Sequence, residues 1–353
     1  MRLGCGLLLL WAVSAVAADD HAVILVYHHV SESTPALTSV TPEAFDQHLD
    51  YLQQNNFTVW PLARIVEALR ENQPLPENTV AITFDDAFQS IYTEAFPRLT
   101  DRGWPFTVFV STEGVDRGYA EYMTWRQLRQ LAKAGVELGN HSHTHAHLVR
   151  QLPDESDARW RERIRADIDT AADRIRAETG AESRLFAYPY GEYSDAVKSI
   201  VAAAGYTGIA QQSGAIGRQS DFLALPRYPM SRSYSDMNRF ATSVKSRPLP
   251  VTAVDIDSNG RSEYRPIQSA RLTLDDGSYQ TGQLACYRAS GKRLDLDIER
   301  DRPLTIKVTV DERQPPGRHK INCTAPDRAG GGVFYWYSIQ WLVTKEDGSW
   351  YLE

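Results

Sequence analysis

Four histidines stand at every second position, His141, His143, His145 and His147, in the stretch GNHSHTHAHL of a chain that holds nine in all. Upstream, the run TVAITFDD closes on two adjacent carboxylates, Asp85 and Asp86. These are the side chains that hold a borderline divalent metal. His141 and His145 are four apart, as are His143 and His147, so a turn-like segment aims either pair at one point. Two histidines and one carboxylate, with a position left open for water, make the donor set of a catalytic zinc site, and cobalt, nickel or iron suits the same donors. Neighbouring side chains in a strand point to opposite faces. At a strand's end the chain turns, and both carboxylates reach one site in different roles. A solvated turn that caps a helix and a His-rich surface loop are the plainer accounts of the two motifs.

Certain elements must place these motifs side by side. The continuous apolar run AVILVYH reads as a buried parallel strand, and TVAITFDD, FTVFVST, VELGNHSH, RLFAYPYG and YTGIAQQ read as further strands. Helices alternate with them. Thr41 caps the first, Pro42 takes its first turn, and Phe45, Leu49 and Leu52 share one face. TWRQLRQLAKAG is a helix stopped at Gly135, and a long charged helix runs from about 157 to 179. This alternation over residues 22–245 predicts an α/β domain with a parallel sheet, open or closed into a barrel. Functional groups then collect at the C-terminal ends of the strands.

Beyond a Pro-containing linker, SRPLPV, the texture changes. Short alternating runs separated by turn residues such as Asp276-Gly277 predict a small all-β sandwich over residues 246–353. In VFYWYSIQWLV, Tyr335, Tyr337, Ile339 and Trp341 share a core face. Phe334 and Trp336 lie opposite, as a sugar-stacking surface or as packing at a domain interface. Cys286 and Cys323 fall in this part and are expected to form a disulfide. The third cysteine, Cys5, lies in residues 1–17, which read as a secretory signal peptide: Arg2, a short apolar run and a small-x-small end at Ala15-Val16-Ala17. The expected location is therefore extracytoplasmic, periplasmic or secreted, with no membrane span in the mature protein. The net charge of −7 speaks against a nucleic-acid partner, which calls for a basic stripe.

TFDD, then HSHTH, then FAYPYG, in that order and each at a strand end, resemble the polysaccharide deacetylases with a NodB-homology domain, carbohydrate esterase family four. The resemblance spans about residues 22–235, including the opening VYHHV and the late LPR. It implies a distorted (β/α) barrel and removal of acetyl groups from an N-acetylglucosamine-containing polysaccharide. It implies Asp85 as the general base that activates a water, Asp86, His141 and His145 as metal ligands with zinc the expected ion, and Pro189 and Tyr190 along the groove, the Tyr190 N–H donating to the oxyanion. His143 and His147 are left as loop supports or solvent-facing groups.

The sequence departs from that pattern in places. The late Leu-x-x-His motif that supplies a proton to the departing amine is missing. His28, His29 or protonated Asp85 could supply it instead. VYHHV is similar to the opening of the subgroup that includes biofilm poly-N-acetylglucosamine deacetylases, which favours His28. The family's arginine that holds the catalytic aspartate is missing from the third motif, where Ala187 and Tyr188 precede Pro189. Arg227, in ALPRYP, is the expected replacement. Ala87 stands where a glycine is usual. Trp125, at a helix start, is a candidate sugar-stacking residue or a core residue. Three functions remain open: a polysaccharide N-deacetylase, an O-acetyl esterase of the same architecture acting on xylan or another glycan, and a glycan-binding protein without catalysis.

Overall fold

A computed structural model of the chain describes residues 18–231, 234–257, 264–301, 303–310 and 313–351. The expected signal peptide, residues 1–17, lies outside the described residues. The core of the first part is a curled parallel sheet. Its strands are β1 (His21–Tyr27), β2 (Thr79–Phe84), β3 (Thr107–Val110), β4 (Glu137–Asn140), β5 (Leu185–Ala187) and β6 (Thr207–Ile209), paired in that spatial order. Every residue of β2 is buried, as is all of β1 but its first residue. That is why their sequences are unbroken apolar runs rather than alternating ones.

Residues 225–229 carry the sheet round from β6 to β1. Leu225 bridges to Ile209, and β7 (Tyr228–Pro229) pairs with Leu25 and Val26. The expected distorted barrel is therefore the observed architecture. Helices pack outside it: α1 (Pro42–Gln54), α2 (Leu62–Arg70), α3 (Trp125–Lys133), α4 (Asp157–Thr179) and α5 (Asp195–Ala203). On α1 the Thr41 side chain accepts the Ala44 N–H and Pro42 begins the first turn, as the sequence predicts. On α4 the buried residues Trp160, Ile164, Ile168, Ala171 and Ile175 recur every three to four positions, one apolar stripe facing the sheet. Among the described residues no helix is long and apolar enough to cross a membrane.

The C-terminal part consists of two four-stranded sheets. One holds β8 (Val251–Asp257), β9 (Ser269–Leu274), β11 (Leu296–Glu299) and β12 (Leu304–Thr309). The other holds residues 247–248, β10 (Ala285–Arg288), β13 (Gly317–Pro326) and β14 (Phe334–Val343). Leu272, Ile306, Val308, Ile321, Ile339 and Trp341 fill the space between them. Cys286 and Cys323 are paired across β10 and β13 and are joined by a disulfide.

One buried histidine makes the fold sensitive to acid. His48 of α1 accepts the Tyr27 hydroxyl at Nδ1 (3.0 Å), donates from Nε2 to the Ser235 carbonyl (2.9 Å), and stacks on Phe240 at 4.0 Å. Burial pushes it down to about 4 from 6.5. A folded value below the unfolded one means that the stabilisation is complete above pH 6.5 and is lost as the pH falls toward 4. The expected slope in that window is up to about 1.4 kcal/mol per pH unit from this group. Urea unfolding of the wild type and of His48→Gln at pH 7 and pH 5.5 measures it. Equal pH slopes in the two proteins would remove His48 as the cause.

Candidate active site

The C-terminal strand ends converge. Asp85 and Asp86 follow β2, His141 follows β4, and the Pro189–Gly191 turn follows β5. His28 follows β1 and Gln211 follows β6. Arg227 lies in the segment that closes the sheet. Asp85 is fully buried, as is Arg227, and the two form a fork: Nη1 donates to Oδ1 and Nη2 to Oδ2, each at 2.7 Å. Arg227 is itself held by the Ala210 carbonyl at 2.8 Å and by Thr83 Oγ1 at 3.1 Å. Gln211 donates to Asp85 Oδ2 at 3.1 Å. Burial alone would raise the Asp85 carboxyl, but Arg227 and the nearby histidines outweigh it and hold the value below the ordinary one. Asp85 is thus an ionised, oriented carboxylate.

Asp86, His141 and His145 form a second group whose potential ligand atoms all lie within 4.8 Å of one another. The geometry asks for a cation. His141 Nδ1 donates to the Ala187 carbonyl at 2.8 Å, which leaves the lone pair of a neutral ring on Nε2, facing the site. That Nε2 is 3.3 Å from Asp86 Oδ1, and His145 Nε2 is 3.0 Å from the same oxygen. Asp86 Oδ1 is nevertheless buried with no hydrogen-bond partner. Lone pairs gathered round an orphaned carboxylate oxygen are what a divalent ion resolves. The charges at the site are tightly coupled. Burial opposes a protonated His141, yet Asp85 and Asp86 push its value up. Asp86 is pulled well below the ordinary range against burial by the two histidines.

The other two histidines support the loop. His143 Nδ1 meets Thr112 Oγ1 at 2.8 Å. His147 Nδ1 pairs with Glu192 Oε2 at 2.8 Å, and its ring stacks on Tyr190 at 3.9 Å. The backbone is strained here. Nine non-glycine residues among those described have left-handed φ, and the four away from the site are asparagine or aspartate, which tolerate it. The other five are Asp86, Ala87, Ser142, His145 and Tyr190. Strain concentrated in this way marks over-determined functional backbone. It also gives the reason a glycine suits position 87, where φ is 65°.

His28 Nε2 lies 3.9 Å from Asp85 Oδ2. His29 instead stacks on Phe88 at 3.8 Å, and burial pushes it down to about 4, so of the two neighbours His28 is the one at the site. Trp125 is not brought to this cluster. Its indole N–H donates to Asp116 at 2.8 Å, and Arg174 packs over its ring. Trp336, opposite the core face of β14, packs edge-on against Tyr228 at 5.6 Å, so of its two readings the structure takes packing at the junction. Gln211 escaped the sequence reading. Its position just past a strand of the sheet was the one available signal.

A parallel barrel with a buried carboxylate beside an aspartate–histidine–histidine group that could hold a divalent ion is an arrangement suited to hydrolysis. Residues 72–209 match the family model described as polysaccharide deacetylase. A poly-β-1,6-N-acetyl-D-glucosamine N-deacetylase of Escherichia coli (strain K12) is 27% identical over 276 residues, covering 67% of this chain and 41% of that protein. The chain thus spans about two fifths of that relative's length. Among solved structures, IcaB from Ammonifex degensii is 25% identical with a TM-score of 0.56, covering 64% of this chain and 98% of that one. The BpsB deacetylase domain from Bordetella bronchiseptica is 26% identical with a TM-score of 0.53, covering 60% and 97%.

Proposed function

We propose that the protein is a metal-dependent hydrolase that removes N-acetyl groups from an extracytoplasmic, N-acetylglucosamine-containing polysaccharide. One juxtaposition carries the reading: a carboxylate pinned in its ionised form by Arg227 and Gln211, directly beside Asp86, His141 and His145. The disulfide between Cys286 and Cys323 supports an oxidising compartment. The names of the similar proteins support the substrate class.

Asp86, His141 and His145 would hold the ion, with zinc the first expectation from the donor set. A divalent cation there supplies a Lewis acid for the acetyl carbonyl and acidifies a water. Asp85 takes the proton from the attacking water. The Tyr190 N–H, on the turn that Pro189 opens, donates to the oxyanion. The carbon–nitrogen bond then breaks: acetate keeps the water oxygen, and the glucosamine nitrogen leaves with the proton that Asp85 took, passed on through His28, whose Nε2 lies 3.9 Å from Asp85 Oδ2. Arg227 keeps Asp85 ionised and aimed throughout.

The decisive assay is acetate release from acetylated chito-oligosaccharides and poly-N-acetylglucosamine, with and without chelator, then with zinc or cobalt restored. Release that falls to background with chelator and returns with metal is the expected outcome. No release from protein that binds metal, together with cleavage of acetylated xylan, would replace the reading by an O-acetyl esterase. No release and no metal binding would leave a glycan-binding protein.

A further inference from the structure

We propose that the C-terminal sandwich is a positioning part of the catalytic unit. Arg318, Lys320, Ser338 and Gln340 on one face of β13 and β14 clamp the two segments that carry the oxyanion peptide and the glutamine oriented on the base. The catalytic half of this inference rests on the deacetylase reading above.

The two strands are paired so that Lys320 lies opposite Gln340 and Asn322 opposite Ser338. Side chains alternate across a sheet. Ile321, Cys323, Ile339 and Trp341 therefore point into the sandwich core, and the intervening polar residues point at the barrel. There they meet backbone carbonyls beyond the ends of two strands. Arg318 Nη1 donates to the Tyr190 carbonyl. Gln340 Nε2 donates to Gly191 at 2.7 Å, Lys320 Nζ to Gln211 at 3.1 Å, and Ser338 Oγ to Ser213 at 2.5 Å. Past a strand's end such carbonyls need partners from elsewhere, and here the sandwich provides four.

The two clamped segments touch at one point. A Cβ at Gly191 would stand 2.6 Å from Gln211 Cβ and 3.1 Å from Arg318 Nη1, at a φ of +66°. Glycine is needed there for both the conformation and the space. Only one residue separates the sandwich from the base: Lys320 holds the Gln211 carbonyl, and the Gln211 side chain donates to Asp85. A third tie comes from Tyr351, whose hydroxyl donates to Glu192 at 2.5 Å. Glu192 holds His147, and His147 stacks on Tyr190. A surface that only rested against the barrel would not place its donors on the peptide of the oxyanion residue and on the residue behind the base.

The test uses the full chain with Arg318→Met and Lys320→Met combined, and Arg271→Met on the other sheet as control. Hydrogen exchange read by mass spectrometry reports the Tyr190–Gly191 and Gln211–Ser213 peptides, and steady-state kinetics report acetate release. The expected result is faster exchange confined to those peptides, a fall in kcat of about 10²-fold with KM changed little, and recovery in the conservative Arg318→Lys, Lys320→Arg pair. If the double variant unfolds several degrees early, Gln340→Leu takes its place. Unchanged exchange, or faster exchange with unchanged kcat, overturns the proposal. A wild type that releases no acetate from any acetylated glycan sinks the deacetylase reading instead, and the exchange result alone then decides whether the sandwich holds these segments.

Discussion

Arg227→Met is expected to lower folding stability by about 3–5 kcal/mol, the usual consequence of removing one partner of a buried ion pair. Both members are fully buried, and each Asp85 oxygen takes a bond from Arg227 at 2.7 Å. Without the guanidinium, Asp85 keeps only the neutral Gln211 amide and the influence of nearby histidines. The loss is a large share of the 5–15 kcal/mol that folds a typical domain. Urea unfolding with Asp86, His141 and His145 intact measures it. Arg227→Lys is not expected to rescue, because one ammonium cannot reproduce a fork that spans both carboxylate oxygens and also reaches Ala210 and Thr83. A loss below about 1 kcal/mol, the range of exposed pairs, would show that the pair is solvated in solution.

The sequence displays the parts of this site unequally. β1 and β2 are legible because strands buried on both faces must be apolar throughout. The helix 157–179 is legible as a long charged run, and its ends are closed by the Ser156 cap and by Gly180 at φ 73°. Asp85, Asp86, His141 and His145 are legible because one side-chain chemistry requires them in short motifs. Arg227 shows itself only as an answer to a gap, the missing arginine of the third motif. Gln211 left only its place just past a strand, and Arg318 and Lys320 left no local trace. Gln211 meets Asp85 across 126 positions, and Lys320 meets Gln211 across 109. A single polar residue in a strand looks the same whether it faces water or another domain. Trp125 misleads in the opposite sense. An aromatic at a helix start near the histidine motif is locally a plausible sugar platform, and only the fold turns it toward Asp116 and Arg174.

Asp85→Asn is expected to lower kcat for acetate release by about 10²–10⁴-fold, the usual contribution of a positioned general base. The substitution is not a clean isostere here. Oδ1 accepts from Arg227 Nη1, and Oδ2 accepts from Arg227 Nη2 and Gln211 Nε2. Whichever way an amide is turned, its NH₂ faces a donor, and Arg227 loses its counter-charge. Asp85→Asn should therefore also destabilise the fold, and activity must be normalised to folded, metal-loaded protein. Adding Arg227→Gln separates the two effects. The pair restores neutrality and gives each amide a partner, so stability should recover toward wild type while kcat stays low. The coupling read from that cycle isolates the ion pair from the chemistry. If the normalised rate of Asp85→Asn matched the wild type, the base would have to be sought elsewhere. If the double variant regained activity along with stability, Asp85 would be a structural carboxylate, and the water-activating role would pass to another group at the same strand ends.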